Sequence, residues 1–500
     1  MKRLLGGLVL LSMGVCGWAQ DANVTMLKVT SNLVVLDVVV VDKSGTPVGG
    51  LTKDDFTVYE DGKPQVIKSF NASFGQGGGG RSDAKTILVL DELNNSLAEI
   101  GWARVNLKHY LQAQRGEMPS PTMLISAASN EFTVVQGYTT DPKVLIEALD
   151  HHGASMPYKV ASAQFGKERL AETLTFLQQI AIAARGEKER KNVIWVGKGF
   201  PTVSPLTLTP RDQEVVGKAL RETVNLLLAA RMTVSKVDPT VTTAAVSDAG
   251  SADVFHFSDE GPDPYSSGIS FNALTIQTGG RFYYARNDLD REIAQGAEQG
   301  RSYYTLAYRP GASTGEVAQA YRHLRIVLNR PALAVQAKHG YYAGAGGGHG
   351  GGNEPAAQPS QAELSLDLAQ AAGSRLAYTG IAMKLVSMVQ GKQSGMMLCT
   401  IVADAEGLTY DTDANGNRHA HVYVVASNFS DKGKMIANQA TRLDTTVKAA
   451  QAEQIPGSHP VFHVEVPVAA GTKRLRIVMR DAASGRTGSV EGDPAVIPKA

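Results

Sequence analysis

The apolar positions of this chain fall in short runs separated by turn residues, and the spacing of those runs changes twice along its length. Residues 24–74 read as strands. Val34–Val41 is an apolar run interrupted only by Asp37, and Lys43-Ser44-Gly45-Thr46-Pro47 is turn chemistry. Phe56–Tyr59 alternates, Glu60-Asp61-Gly62-Lys63 makes a second turn, and 65–70 pair back as a hairpin. So short a stretch cannot stand alone, and this small N-terminal β-module is expected to dock on something else.

Beyond the Gly-rich residues 75–84 the period changes. Thr86–Leu90 is a short apolar strand, 97–115 carries a helical pattern, and 122–128 and 132–136 read as strands. Asp141 followed by Pro142 is an N-cap with proline in the first turn, starting a helix to about Ala148. The alternation continues through helices at 167–184, 211–230, 269–278 and 287–299. The strands between and after them fall at 192–196, 231–237, 282–284, 303–309, 321–329 and 333–338. Strands separated by helices of this length predict βαβ units and a doubly wound, mostly parallel sheet over 85–342. Residues 343–360 form a Gly-rich linker and 361–394 a helical or irregular connector. Residues 395–498 alternate at 397–403, 419–427, 439–447, 461–467 and 473–480, as in a C-terminal β-sandwich.

The N-terminus reads as a signal peptide over 1–19. Lys2 and Arg3 precede an apolar stretch at 4–15, and Gly17-Trp18-Ala19 places small residues at the cleavage positions. No later run is long and apolar enough to span a bilayer, so the chain is expected to be secreted or periplasmic, with no transmembrane anchor after cleavage. Cleavage removes Cys16 and leaves Cys399 alone in an apolar strand, which excludes an internal disulfide. A net charge of +1 gives no field for nucleic acid.

Two groups of residues carry a family resemblance. One is Val40-Val41-Asp42-Lys43-Ser44-Gly45-Thr46-Pro47-Val48 with Leu51, Asp55-Phe56 and Glu60–Lys63; the other is Tyr304–Pro310 with Lys338-His339-Gly340-Tyr341. Together they resemble the von Willebrand factor A-related proteins of the Acidobacterial type, over roughly residues 28–342. Arg474–Asp481 and Gly485–Gly488 are similar to a β-domain often appended there. The resemblance implies a von Willebrand factor A-like domain at 85–342. It also implies a secreted protein whose biochemical role the family does not specify; the absence of enzyme motifs points to binding of a protein or matrix ligand at the cell envelope.

It further implies a metal-ion-dependent adhesion site, in which an Asp-x-Ser-x-Ser loop, a Thr from a second loop and an Asp from a third hold Mg²⁺ through oxygens. Here the first loop is Asp91-Glu92-Leu93-Asn94-Asn95-Ser96. Asp91 matches, Leu93 departs, and Asn95 still offers a carbonyl. Ser155 is the candidate second-loop hydroxyl, so Asp91, Asn95 and Ser155 are the candidate Mg²⁺ ligands. In the third loop Lys198 stands where the Asp is expected. The degenerate site is therefore expected to pair Lys198 with Asp91 across the strand tips, and to present Asp91, Asn95 and Lys198 to a protein partner. Without that role, Asp91 caps the following helix.

Asp411-Thr412-Asp413-Ala414-Asn415-Gly416 matches the first half of a calcium loop, giving Asp411, Asp413 and Asn415 as Ca²⁺ candidates. The twelfth position is Val422 instead of Glu, and the alternative is a polar hairpin tip with Asn-Gly as its turn. His419 and His421 share a strand face beside it and read as surface residues. No His-Glu-x-x-His, Gly-x-Ser-x-Gly or P-loop occurs, so no catalytic residue is assigned and the chain is not read as an enzyme. Two alternatives stay open: an envelope hydrolase whose active site lies outside these motifs, and a scaffold whose β-modules do the binding.

Overall fold

The computed structural model describes residues 33–74, 83–129, 131–155, 163–240, 265, 268–283, 288–310, 321–342, 368–450 and 458–494. The expected signal peptide at 1–19 and the expected linker at 343–360 lie outside them. Four strands come first: β1 (Val34–Val41), β2 (Phe56–Glu60), β3 (Lys63–Gln65) and β4 (Ile67–Ser73). An α/β stretch follows, with β5 (Lys85–Asp91), α1 (Leu97–Gln112), β6 (Thr122–Ala128), β7 (Glu131–Thr139), α2 (Pro142–His151) and α3 (Ala163–Ala183). It continues through β8 (Lys191–Val196), α4 (Pro210–Ala229), β9 (Met232–Val237), α5 (Phe271–Gln277), β10 (Phe282–Tyr283) and α6 (Leu289–Arg301).

These elements form a six-stranded mixed sheet in the order β10-β9-β8-β5-β6-β7. Only the β6–β7 pair is antiparallel. The central strands are apolar at consecutive positions because both faces are covered. Ile87 and Val89 of β5 join Val193 and Trp195 of β8 in a core that includes side chains of α3, α4 and α5. Leu88 and Leu90 face the other way, with Ile194 and Val196, onto α1, α2 and α6. Asp141 caps α2 as expected, accepting from the Lys143 N–H at 2.9 Å.

Lys191 opens β8 with no exposed surface, its ammonium donating to the carbonyls of Glu187 (2.7 Å) and Ala230 (2.9 Å). Burial pushes its pKa down from 10.5 to about 8. The unfolded chain therefore holds this proton between pH 8 and 10.5 while the fold has released it, and stability rises with pH across that window. In urea unfolding followed against pH, Lys191→Met should remove that rise, about 3 kcal/mol across the window.

The expected split between a module at 24–74 and a domain at 85–342 needs correction. The strands β11 (Tyr303–Tyr308), β12 (Tyr321–Leu328), β13 (Ala334–Gln336) and β14 (Gly340–Tyr342) return to the first four. β11 lies between β1 and β4, giving a sheet β13-β1-β11-β4, while β12 pairs β2 in a second sheet, β14-β12-β2-β3. The two antiparallel sheets share a core of Leu36, Val38, Phe56, Val58, Tyr304, Leu306, Tyr308 and Leu324. The physical reason is the edge problem: alone, the first strands leave too many unpaired backbone groups, and the closing strands satisfy them.

The C-terminal part holds β15 (Met383–Gln390), β16 (Met396–Ala403), β17 (Asp411–Thr412), β18 (Arg418–Phe429), β19 (Met435–Val447), β20 (Val461–Pro467), β21 (Arg474–Asp481) and β22 (Thr487–Gly492). A three-stranded sheet β15-β16-β20 and a five-stranded sheet built on β18 are both antiparallel and share one core. β15 falls inside the stretch expected to be a helical or irregular connector, which is helical only at 368–373 among the described residues. Its pattern is weak because both faces are largely exposed. Val425 of β18, Val478 of β21 and the segment 368–378 pack into the same core as α3 and α4. The C-terminal part is therefore joined to the α/β body by packing.

Candidate functional site

Asp91 ends β5, and the parallel register sets it beside Val196 and Gly197 at the end of β8. At this point the strand order reverses, with β6 on one side of β5 and β8 on the other. Open α/β sheets bind ligands in the crevice at such a point. Asp91 has no exposed surface. Its Oδ1 accepts the N–H groups of Asn94 (2.9 Å) and Leu93 (3.2 Å). Its Oδ2 accepts the Trp195 indole N–H (2.8 Å) and the Gly199 N–H (3.0 Å). The Asn94 amide reaches both oxygens, at 3.2 and 3.3 Å. Burial pushes the carboxyl pKa upward, against the pull of these donors.

The Gly197-Lys198-Gly199 turn makes this closure possible. A Cβ on Gly197 would stand 2.2 Å from the Asp91 Cβ, and one on Gly199, whose φ is +67°, would strike the Phe271 ring. Asn95 then fastens the first loop to the third. Its amide donates to the Asp91 carbonyl at 2.9 Å, and its Oδ1 accepts the Lys198 N–H at 3.1 Å.

Asp91, Asn95 and Lys198 thus come together through amides and backbone, but the expected Lys198–Asp91 ion pair does not form. The Lys198 ammonium lies 2.6 Å from Glu99 Oε1 instead. The reason is solvation: Asp91 is sealed beneath Gly197 and Trp195, whereas the lysine side chain stays 42% exposed and keeps its charge near water. Glu99 is held for this by the start of α1. Its Oε2 accepts the Ser96 N–H (2.8 Å) and hydroxyl (2.9 Å), a capping box. Burial works upward on its pKa, and the bonds from Lys198 and Ser96 outweigh it, holding the carboxyl below its usual value. The Ser96-Leu97-Ala98-Glu99 spacing was the signal that could have identified Glu99.

Ser155 takes a different role from the expected one. Its N–H donates to Glu92 Oε2 at 2.9 Å, and among the described residues no contact ties its hydroxyl to Asp91 or Asn95. Glu92 has no exposed surface, and its Oε1 lies 3.1 Å from His152 Nε2. Burial raises its pKa, but the His152 and Ser155 bonds prevail and the net shift is downward. Glu92 therefore anchors the end of α2 to the end of β5.

These residues do not fit Mg²⁺. An octahedral site needs oxygens with free lone pairs, and both Asp91 oxygens already receive N–H donors. Leu93 supplies no side-chain oxygen, and Asn95 Oδ1 is engaged by Lys198. One buried acceptor, Asn94 Oδ1, is without a partner, and a single neutral carbonyl does not make a cation site. Among the described residues no cluster of three His, Cys, Asp or Glu side chains is suited to a metal ion.

The calcium candidates are corrected in the same way. β17 and β18 form a hairpin whose tip is built on Asp413. Its Oδ1 accepts the N–H groups of Asn415 (2.9 Å) and Asn417 (2.8 Å), and its Oδ2 takes the Asn417 amide (3.0 Å) and His419 Nε2 (3.1 Å). Bonds from His419 and Asn417 hold its pKa below the usual range. The carboxylate is spent on the turn, with Gly416 at φ +80° completing it. Asp411 is exposed in β17, pairing with His419 through the backbone.

No family model matches the chain, and no curated protein matches it. Among solved structures, the crystal structure of the SpRpn10 VWA domain is similar over 31% of this chain and 75% of that chain, at 14% identity and a TM-score of 0.19.

Proposed function

We propose that this chain is an exported, von Willebrand factor A-like interaction protein that binds a protein partner at the strand-end face of its six-stranded sheet, without a metal. The reading places a β-sandwich on the C-terminal side of that domain and the mature chain in the periplasm or outside the cell. One observation carries the choice of face. The segments that follow β5 and β8 expose large apolar side chains: Leu97 at 50%, Leu206 at 94% and Val215 at 60%. The partly exposed Lys198–Glu99 pair bridges the same two segments. Apolar anchors with a charged rim are what a protein partner uses, the first for affinity and the second for orientation. With Asp91 closed off by protein donors, the partner's carboxylate has no cation to meet, and recognition falls to this outer layer.

Capture from envelope extract, with and without EDTA, tests the proposal. The same partner should be retained in both conditions and lost with Leu206→Glu, a change at a solvent-facing position that leaves the core intact. Capture that vanishes with EDTA, or that survives Leu206→Glu together with Lys198→Glu, would overturn it.

A further inference from the structure

The edge of the five-stranded C-terminal sheet is long and thinly protected. β19 runs 13 residues, Met435–Val447, and pairs along its whole length with β18. Among the described residues nothing pairs with its other edge. Folded proteins blunt such edges with charged side chains, lysine above all, or with proline, bulges or short strands, and over its 13 residues β19 carries only two charges, Arg442 and Asp444. Between Met435 and Val447 there is no lysine and no proline, and the one register irregularity sits at the start, beside Phe429. Most of its side chains are exposed, Ile436 to 41%. An edge of that length, with alternate backbone groups turned outward, is a template for another strand.

The sequence of the strand indicates which strand. Thr441-Arg442-Leu443-Asp444-Thr445 is a charge palindrome about Leu443. If two copies lie antiparallel with Leu443 opposite Leu443, then Arg442 of each faces Asp444 of the other, and Thr441 faces Thr445. Opposite charges and threonine pairs directly across an antiparallel ladder are both favourable, and like charges there are not. Within one copy, Leu443 packs toward the core between the C-terminal sheets, while Arg442 and Asp444 lie on the opposite face, bonded to each other (3.0 Å) and to His421. The self-paired register extends that charged row across the two-fold axis and makes the core faces continuous. A neutral or singly charged peptide would meet only half of this pattern.

We infer that β19 is a homodimer edge, joining a second copy of this chain in an antiparallel pair centred on Leu443. The inference is independent of the strand-end face proposed above.

Sedimentation velocity of the full chain over a range of concentrations is the test, with backbone hydrogen exchange read on 436–447. A species of twice the chain mass is expected, with those amides gaining protection as it forms. Arg442→Asp alone and Asp444→Arg alone each set like charges opposite one another and should return the chain to monomer. The double variant R442D/D444R restores the complementary pairs and should recover the dimer. Circular dichroism of each variant separates loss of pairing from loss of fold, and the double variant keeps the test decisive where a single change unfolds the sheet. A wild-type chain that stays monomeric throughout would overturn the inference. So would a dimer that leaves 436–447 unprotected, or one indifferent to the single charge reversals. A monomer whose edge gains protection only with an added extended peptide would assign β19 to a different partner.

Discussion

Asp91→Ala should lower the stability of the chain by about 3–5 kcal/mol, and by the same amount whether Mg²⁺ or EDTA is present. The carboxylate accepts from Leu93, Asn94, Trp195 and Gly199 in a site with no exposed surface. Each buried donor left without its acceptor costs about 1–3 kcal/mol, and neighbouring groups recover only part of the sum. Asp91→Asn should cost less but still about 2 kcal/mol, because one edge of the amide is a donor and faces donors on either oxygen position. Urea unfolding measures both. A cation-binding aspartate would behave differently: wild-type stability would rise with Mg²⁺ and the variants would lose that rise.

The second large effect is expected at Arg476, whose side chain is 1% exposed. Its Nε donates to the Ala371 carbonyl (3.0 Å), its Nη2 to the Leu376 carbonyl (2.5 Å), and its Nη1 lies 2.6 Å from Glu491 Oε1. The guanidinium thus fastens segment 371–376 to β21, and that segment is part of the core that includes α3 and α4. Arg476→Ala removes three donors at once and leaves the Ala371 and Leu376 carbonyls without theirs, while Glu491 keeps its 2.6 Å bond to Arg474. Each buried carbonyl left without its donor costs about 1–3 kcal/mol, so the loss should be about 2–4 kcal/mol. Arg476→Lys keeps the charge but not the fork and should recover less than half. Hydrogen exchange should locate the loss, with amides of 368–378 and β21 exposed before those of β5. Uniform loss across the chain would show that Arg476 holds no particular seam.

Much of the α/β body was legible in the sequence because its signals are local. β5 and β8 are short apolar runs, and the Asp141-Pro142 pair marks the start of α2. What was not legible depends on pairing over long separations. Tyr303–Tyr308 reads as a strand in either sheet, and nothing in its own pattern says that it inserts between β1 and β4, which lie more than 200 residues upstream, a register set by the edges those strands leave open. The site divides in the same way. That Asp91, Asn95 and Lys198 belong to neighbouring loops was implied by the resemblance to A-type domains; the α/β alternation predicts the sheet but not the order of its strands. Where the lysine points follows from neither, since burying an ammonium and leaving it at the rim are compatible with the same backbone. The decisive groups were Trp195, which read only as a strand residue, and Glu99, whose capping box was present in the sequence. Met383–Gln390 was missed because a strand exposed on both faces lacks the alternation by which strands are recognised.

The claim on which the functional reading rests is that indole and backbone N–H groups occupy the lone pairs a divalent cation would need at Asp91. Titration calorimetry of Mg²⁺ into the full chain tests it directly. No saturable heat up to millimolar Mg²⁺ is the expected result. A sub-millimolar, one-to-one binding isotherm that disappears in a folded Asp91→Asn variant would contradict it.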